Sequence, residues 1–157
     1  MDIICTWEGP CDDLFLFAFP FLFAGMWFFI MGLLAWLGGW TTLAAKYAIP
    51  DRMPEGRLNR WHSGVLKKSV PASYSNCLNI TITPDGLGLS MMLIFSFRHT
   101  PFFIPWSDME LTEGKRWIFK KIDLAVRDTG VTISFWSPKV IETLTAAYNA
   151  YHNARKR

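Results

Sequence analysis

Residues 14–37 read LFLFAFPFLFAGMWFFIMGLLAWL, a run without a single charged side chain. As a helix, these 24 residues cover the hydrocarbon core of a bilayer, about 30 Å at about 1.5 Å per residue. No other run of this kind occurs in the chain, so the sequence predicts a single-pass membrane protein. Residues 14–38 form the transmembrane helix, and everything after them is a domain held against the membrane. A cleaved signal peptide fits poorly, because it needs a positive n-region and a shorter apolar stretch. Residues 1–13 instead form a short acidic tail with Asp2, Glu8, Asp12 and Asp13 and no Lys or Arg. A core helix of a soluble domain rarely runs this long without a polar face.

The flanks set the orientation. Lys46, Arg52, Arg57 and Arg60 follow the helix closely, with Lys67 and Lys68 further on, whereas the N-terminal tail has no basic residue. The positive-inside rule then places the C-terminal domain in the cytoplasm and the N-terminus outside, as in a bacterial inner membrane. All 16 basic residues and 9 of the 13 acidic ones lie after the helix, so that part carries 16 − 9 = +7 and the tail −4. Such a domain is drawn to an anionic leaflet by about 1 kcal/mol per basic group near the surface. The charge equally serves solubility and orientation alone.

Small residues recur along one side of the helix at Ala18, Gly25, Gly32 and Gly39, with Ala35 beside them. A seven-residue repeat keeps such a stripe on one face, where close backbone approach drives helix association in lipid. The stripe is a candidate packing face for a partner helix or a second copy. The other side is crowded with Phe, which lipid accommodates readily. No His lies in the span, so it has no axial ligand for a haem or chlorin, and no cofactor is expected. Trp7 at the outer end and Trp36 and Trp40 at the inner end mark the two interfaces.

Residues 39–56 read as an interfacial helix end, WTTLAAKY, and a linker broken by Pro50, Pro54 and Gly56. Residues 57–157 then read as one β-domain closed by a helix. In CLNITIT, Leu78, Ile80 and Ile82 face one way; Thr83-Pro-Asp-Gly86 turns the chain; Leu89, Met91, Leu93, Phe95 and Phe97 continue an inward face. A short strand at Phe102–Trp106 precedes a long one from Arg116 to Arg127 in which Ile118, Ile122, Leu124 and Val126 align. Asp128-Thr129-Gly130 leads into a strand at 131–136, and an earlier strand is expected within 58–70. Ser137 and Pro138 open an amphipathic C-terminal helix with Val140, Ile141, Leu144, Ala147, Tyr148 and Tyr151 on one face. The expected fold is therefore one transmembrane helix plus a mainly antiparallel, partly open barrel of five to seven strands, plugged by the last helix.

Three segments support a resemblance: Gly39-Trp40 with Leu43-Ala44 and Tyr47, the strand Gly86-Leu87 through Leu89-Ser90, and the box Ile104-Pro-Trp-Ser-Asp108. Across roughly residues 39–150 the chain resembles uncharacterised small bacterial single-pass membrane proteins with a pleckstrin-homology-like or GRAM-like cytoplasmic domain. The resemblance implies a fold and no established activity.

Little in the residue pattern points to catalysis. His62, His99 and His152 are scattered, no nucleophile elbow is present, and neither standard phosphate-binding glycine loop occurs. No metal site and no enzyme activity are expected. Cys5 and Cys11 could close a small outer disulfide, while Cys77 lies on the reducing side. Two surfaces are candidates for binding. The basic residues Arg57, Arg60, Lys67, Lys68, Lys115, Arg116, Lys120 and Lys121 would meet lipid headgroups or an acidic partner, which pleckstrin-homology-like barrels often contact through early loops. Phe102, Phe103 and Trp106 lie in a proline-flanked segment that is a candidate interface loop, with Ile104 and Trp106 expected in the core and Phe102 and Phe103 open to either place. Nucleic acid is a weak candidate for a domain held at a membrane. The chain is thus expected to be a non-catalytic accessory or adaptor subunit packing laterally in a membrane complex, or alternatively a tethered module for anionic headgroups or a small ligand.

Overall fold

The computed structural model describes residues 10–49, 53–116 and 118–156. Helix α1 spans Pro10–Leu37, and its segment Phe15–Leu37 is long and apolar enough to cross a membrane. The helix does not run on through Tyr47. It stops at Gly38-Gly39, where Gly39 has φ +88°, and the chain restarts as α2, Trp40–Tyr47. Left-handed backbone of this kind strains any residue with a Cβ, so the glycine makes the corner possible. The corner turns Trp40 off the helix line and into the domain.

Seven antiparallel strands follow: β1 Arg57–Lys67, β2 Pro71–Ile82, β3 Gly86–Met91, β4 Phe102–Pro105, β5 Met109–Arg116, β6 Phe119–Val126 and β7 Val131–Phe135. Their order across the sheet is β4-β3-β2-β1-β7-β6-β5. Strand β1 is the hinge of this sheet. Its register against β2 shifts between Asn59 and His62 and again before Gly64, with Trp61 at φ 63°. Bulges bend a strand and sharpen its twist. The first half of β1 therefore pairs with β2 alone, and its second half pairs with both β2 and β7. The sheet curls into a partly open barrel whose outermost strands are β4 and β5, with Ala48 bridging to Phe102 on the β4 edge.

Helix α3, Pro138–Ala154, covers the corner between those edges. Val140 and Leu144 enter the core, and the Tyr148 ring meets Trp106 edge-on at 5.9 Å between centroids. The fold is thus the expected one: a long apolar N-terminal helix, an antiparallel β-domain and a closing C-terminal helix.

Two details differ from the periodic reading. Strand β3 ends at Met91, and Leu93–Phe95 form a 3-10 turn instead of extending the inward face. Leu93 is 88% exposed. The Ser96 hydroxyl donates to the Leu93 carbonyl at 2.6 Å, an alternative to a ladder bond that period-2 patterning cannot register. The long strand expected from Arg116 to Arg127 is the second arm of a hairpin, with β6 beginning only at Phe119, and Ile118 at the turn is 86% exposed.

Candidate functional site

The helices and the barrel meet in a joint built around Trp40. Its ring has no exposed surface, and its Nε1–H donates to the Thr100 carbonyl at 3.0 Å. Tyr74, His99 and Phe102 surround it at 5.7, 4.9 and 4.9 Å between ring centroids. The His99 Nδ1 lies 2.8 Å from the Phe97 carbonyl, which can only accept, so Nδ1 holds the proton. Nε2 of the neutral ring is then an acceptor 3.2 Å from the Tyr74 hydroxyl, whose one hydrogen it shares with the Leu34 carbonyl at 3.3 Å. Burial holds the His99 pKa below its ordinary value and pushes the Tyr74 phenol up.

On the other side of α2, the Tyr47 hydroxyl donates to Asp108 Oδ2 at 2.7 Å. That bond is the main reason the Asp108 carboxyl lies below the usual range. Lys68 Nζ donates to Thr42 Oγ1 at 2.9 Å. Backbone bonding continues past α2, with the Ile49 N–H on the Pro101 carbonyl at 3.2 Å.

The small-residue stripe divides at this joint. Ala35 and Gly39 are buried against the chain's own domain. A Cβ on Gly32 would lie 3.3 Å from Arg98 Cδ, and one on Gly39 would lie 2.7 Å from Val131 Cγ2. Gly25 is different: nothing lies within 4 Å of the same position. Only the Ala18–Gly25 half of the stripe is open to another helix unless the domain moves away.

The basic residues do not form one patch. Lys67 and Lys68 lie at the β1–β2 turn beside α2, and Arg57 starts β1 opposite Ile82. Lys115 faces Lys120, and Gly114 faces Lys121, on the β5–β6 hairpin. Lys121 is already paired with Asp123 at 2.9 Å. The Arg116 side chain lies outside the described residues, as does Cys5 and with it the expected Cys5–Cys11 disulfide.

Phe102 and Trp106 belong wholly to the core, and Trp106 Nε1–H donates to the Thr83 carbonyl at 3.1 Å. They therefore offer nothing to an interface, and Phe103 is half-buried. Among the described residues no three His, Cys, Asp or Glu converge on a metal-sized site. Burial raises the pKa of the Cys77 thiol, the reverse of what a nucleophile needs.

An open groove of about 730 Å³ lies between the β5–β6 hairpin tip and α3. Ile118, Phe119, Trp136 and Ile141 give it apolar walls, and Glu113, Lys120 and Glu142 a charged rim. Thr145 Oγ1, among its lining residues, has no hydrogen-bond partner among the described residues. The seven steps from Met109 to Arg116 place the hairpin tip about 23 Å from the Asp108 end that α2 holds. Sequence reading missed this feature because Ile118 fits the strand alternation and so counts as core.

No family model matches the chain, and no curated protein matches it. Among solved structures the chain is similar to the Vps36 N-terminal PH domain, with 12% identity and a TM-score of 0.46, over 64% of this chain and 80% of that one.

Proposed function

We propose that this chain is a non-catalytic, membrane-anchored adaptor or accessory subunit of the bacterial inner membrane, with its N-terminus outside and its barrel in the cytoplasm. The observation behind this reading is the joint. Trp40, Leu43 and Ala44 of α2 and Met31 and Ala35 of α1 are buried in the same core as the barrel. A headgroup reader needs only a flexible tether, whereas a subunit of a complex gains from a domain held at fixed height and rotation on its anchor. Preorganisation of that kind lowers the cost of binding. The groove at the hairpin tip, with Ile118 and Phe119 exposed at 86% and 66%, is the surface through which the barrel meets a partner. Gly25 on the open half of the stripe gives a second point of lateral contact.

The test is purification of the full chain from native membranes in mild detergent, with mass spectrometry of what accompanies it. A partner at fixed stoichiometry, lost with Ile118→Asp/Phe119→Asp, is the expected result. A clean monomer or homodimer overturns the reading. Gly32→Leu is a poor probe, because it would push on Arg98; Gly25→Leu is clean.

A second reading, recognition of anionic headgroups, has one observation in its favour: Lys67 and Lys68 lie beside the first turn of α2, next to the end of the span. It requires that the full chain in nanodiscs enrich anionic lipid around itself in a salt-sensitive way, and that Lys67→Glu/Lys68→Glu abolish this.

A further inference from the structure

Between β3 and β4 the chain runs Met92-Leu93-Ile94-Phe95-Ser96-Phe97, with the first charge at Arg98. Part of its backbone is paired within the loop: the N–H groups of Phe95, Ser96 and His99 donate to the carbonyls of Met92, Leu93 and Ser96 at 2.9, 3.2 and 2.9 Å. The side chains at its tip point outward, with Leu93 88%, Ile94 69% and Phe97 43% exposed. A loop facing water normally shows polar residues. This one pairs part of its backbone within itself and turns apolar side chains outward, the character of a segment that lies at the boundary between headgroups and acyl chains.

The loop also packs on the apolar helix. The Phe97 ring lies 4.7 Å from that of Phe28, and the Phe95 ring 5.5 Å from that of Trp27. Phe15, Phe19, Phe23 and Trp27 form a column of rings spaced 5.8, 6.3 and 6.5 Å along α1, and Phe95 continues it. The loop and the helix thus share one unbroken apolar surface.

Its depth follows from the charges. Asp13 is the last charge before the apolar run, so a hydrocarbon layer of about 30 Å starts near residue 14 and ends about 20 residues later, near residue 34. Phe28 is then about 9 Å inside the cytoplasmic boundary and Gly32 about 3 Å inside it. Arg98 is level with Gly32. From that height its guanidinium reaches the phosphates while the apolar side chains before it stay among acyl chains, the usual division at an interface. A cleft of about 450 Å³ between loop and helix, walled by Phe28, Phe29, Leu33 and Phe97 with Arg98 at its rim, suits an acyl chain and its headgroup.

We propose that the Leu93–Phe97 loop is inserted into the acyl layer of the cytoplasmic leaflet beside α1, with Arg98 at the phosphate level. The barrel is then a partly embedded body and not a domain floating above the membrane. This rests on the reading of α1 as a bilayer-spanning helix, and the test separates the two.

Nitroxide labels are placed singly at Leu93, Ile94, Phe21 and Ile118 of the full chain, with the native cysteines replaced by alanine, in phosphatidylcholine–phosphatidylglycerol liposomes. Collision with oxygen is compared with collision with a water-soluble nickel chelate. Leu93 and Ile94 pack on nothing in the core, so labels there leave the fold intact. The expected result is oxygen-rich, nickel-poor behaviour at 93, 94 and 21, and the reverse at 118. Sites 93 and 94 behaving like 118 while 21 stays in lipid overturns the insertion and leaves the span standing. Site 21 behaving like 118 overturns both. Shielding of 93 and 94 from both reagents means a protein cover, and overturns the insertion as well.

Discussion

The Tyr47 hydroxyl donates to Asp108 Oδ2 across 2.7 Å, joining the end of α2 to the turn between β4 and β5. The bond links the Gly-Trp segment that follows α1 to the Ile-Pro-Trp-Ser-Asp box 61 residues later. Both belong to the segments on which the resemblance rests. Trp40, Tyr47, Trp106 and Asp108 of these segments are thus placed at the joint and in the core.

Tyr47→Phe is expected to remove this bond and little else, since the ring keeps its place. A bond to a charged acceptor contributes about 1.5–3 kcal/mol when buried, and here solvent screening reduces it to about 1 kcal/mol. The Asp108 pKa should rise toward its ordinary value. Denaturation in detergent and carboxyl titration by NMR check both, and an unmoved Asp108 would refute the assignment.

Trp40 is the keystone of the joint, and two substitutions separate its roles. Trp40→Ala empties a fully buried site and should cost about 3–5 kcal/mol. Trp40→Phe keeps ring packing but orphans the Thr100 carbonyl, at about 1–3 kcal/mol. Spin labels on α1 and on β6 should report one narrow distance in wild type and a broad distribution in Trp40→Ala. A narrow distribution in that variant would mean that the helix is fixed by other contacts.

The long apolar helix, the β2–β3 hairpin and the capping helix are legible because each rests on local periodicity and turn chemistry, as in Leu78, Ile80, Ile82 and Thr83-Pro-Asp-Gly86, whereas β5 at Met109–Arg116 carries no such alternation and is missed. The joint is not legible, because it depends on pairs far apart in sequence: Trp40 with Thr100, Gly38 with Ala72, Tyr74 with Leu34. The exposed loops at Leu93 and Ile118 were misread for one shared reason. Alternation records that a residue is apolar, and it cannot tell a barrel interior from a lipid or protein surface.

Gly38 gives a test of how closely α1 meets the barrel. A Cβ there would fall 2.5 Å from the Cβ of Ala72 and 3.0 Å from the Leu34 carbonyl. Gly38→Ala should therefore cost about 1–3 kcal/mol by overpacking, and adding Ala72→Gly should restore much of it. Gly25→Ala meets nothing within 4 Å and should stay within about 0.5 kcal/mol of wild type in detergent. Independent, additive effects at 38 and 72 would mean that helix and strand are not in contact in solution.

The same joint should make the protein sensitive to mild acid. Burial holds the folded His99 pKa below the ordinary 6.5, with the Tyr74 hydroxyl on one ring nitrogen and the Phe97 carbonyl on the other. As pH falls through about 6.5, the unfolded chain takes up a proton that the folded chain refuses. Stability present above that pH is lost progressively toward the lower, folded pKa. His62, also lowered mainly by burial, adds a slope of the same sign, so the comparison must isolate His99. His99→Phe keeps an aromatic ring against Trp40 and removes the titration. Unfolding free energies of the full chain in detergent between about pH 7.5 and 5.5 should fall more steeply for wild type than for His99→Phe. Equal slopes would show that His99 is as accessible to protons in the folded chain as in the unfolded one, and that the joint opens in solution.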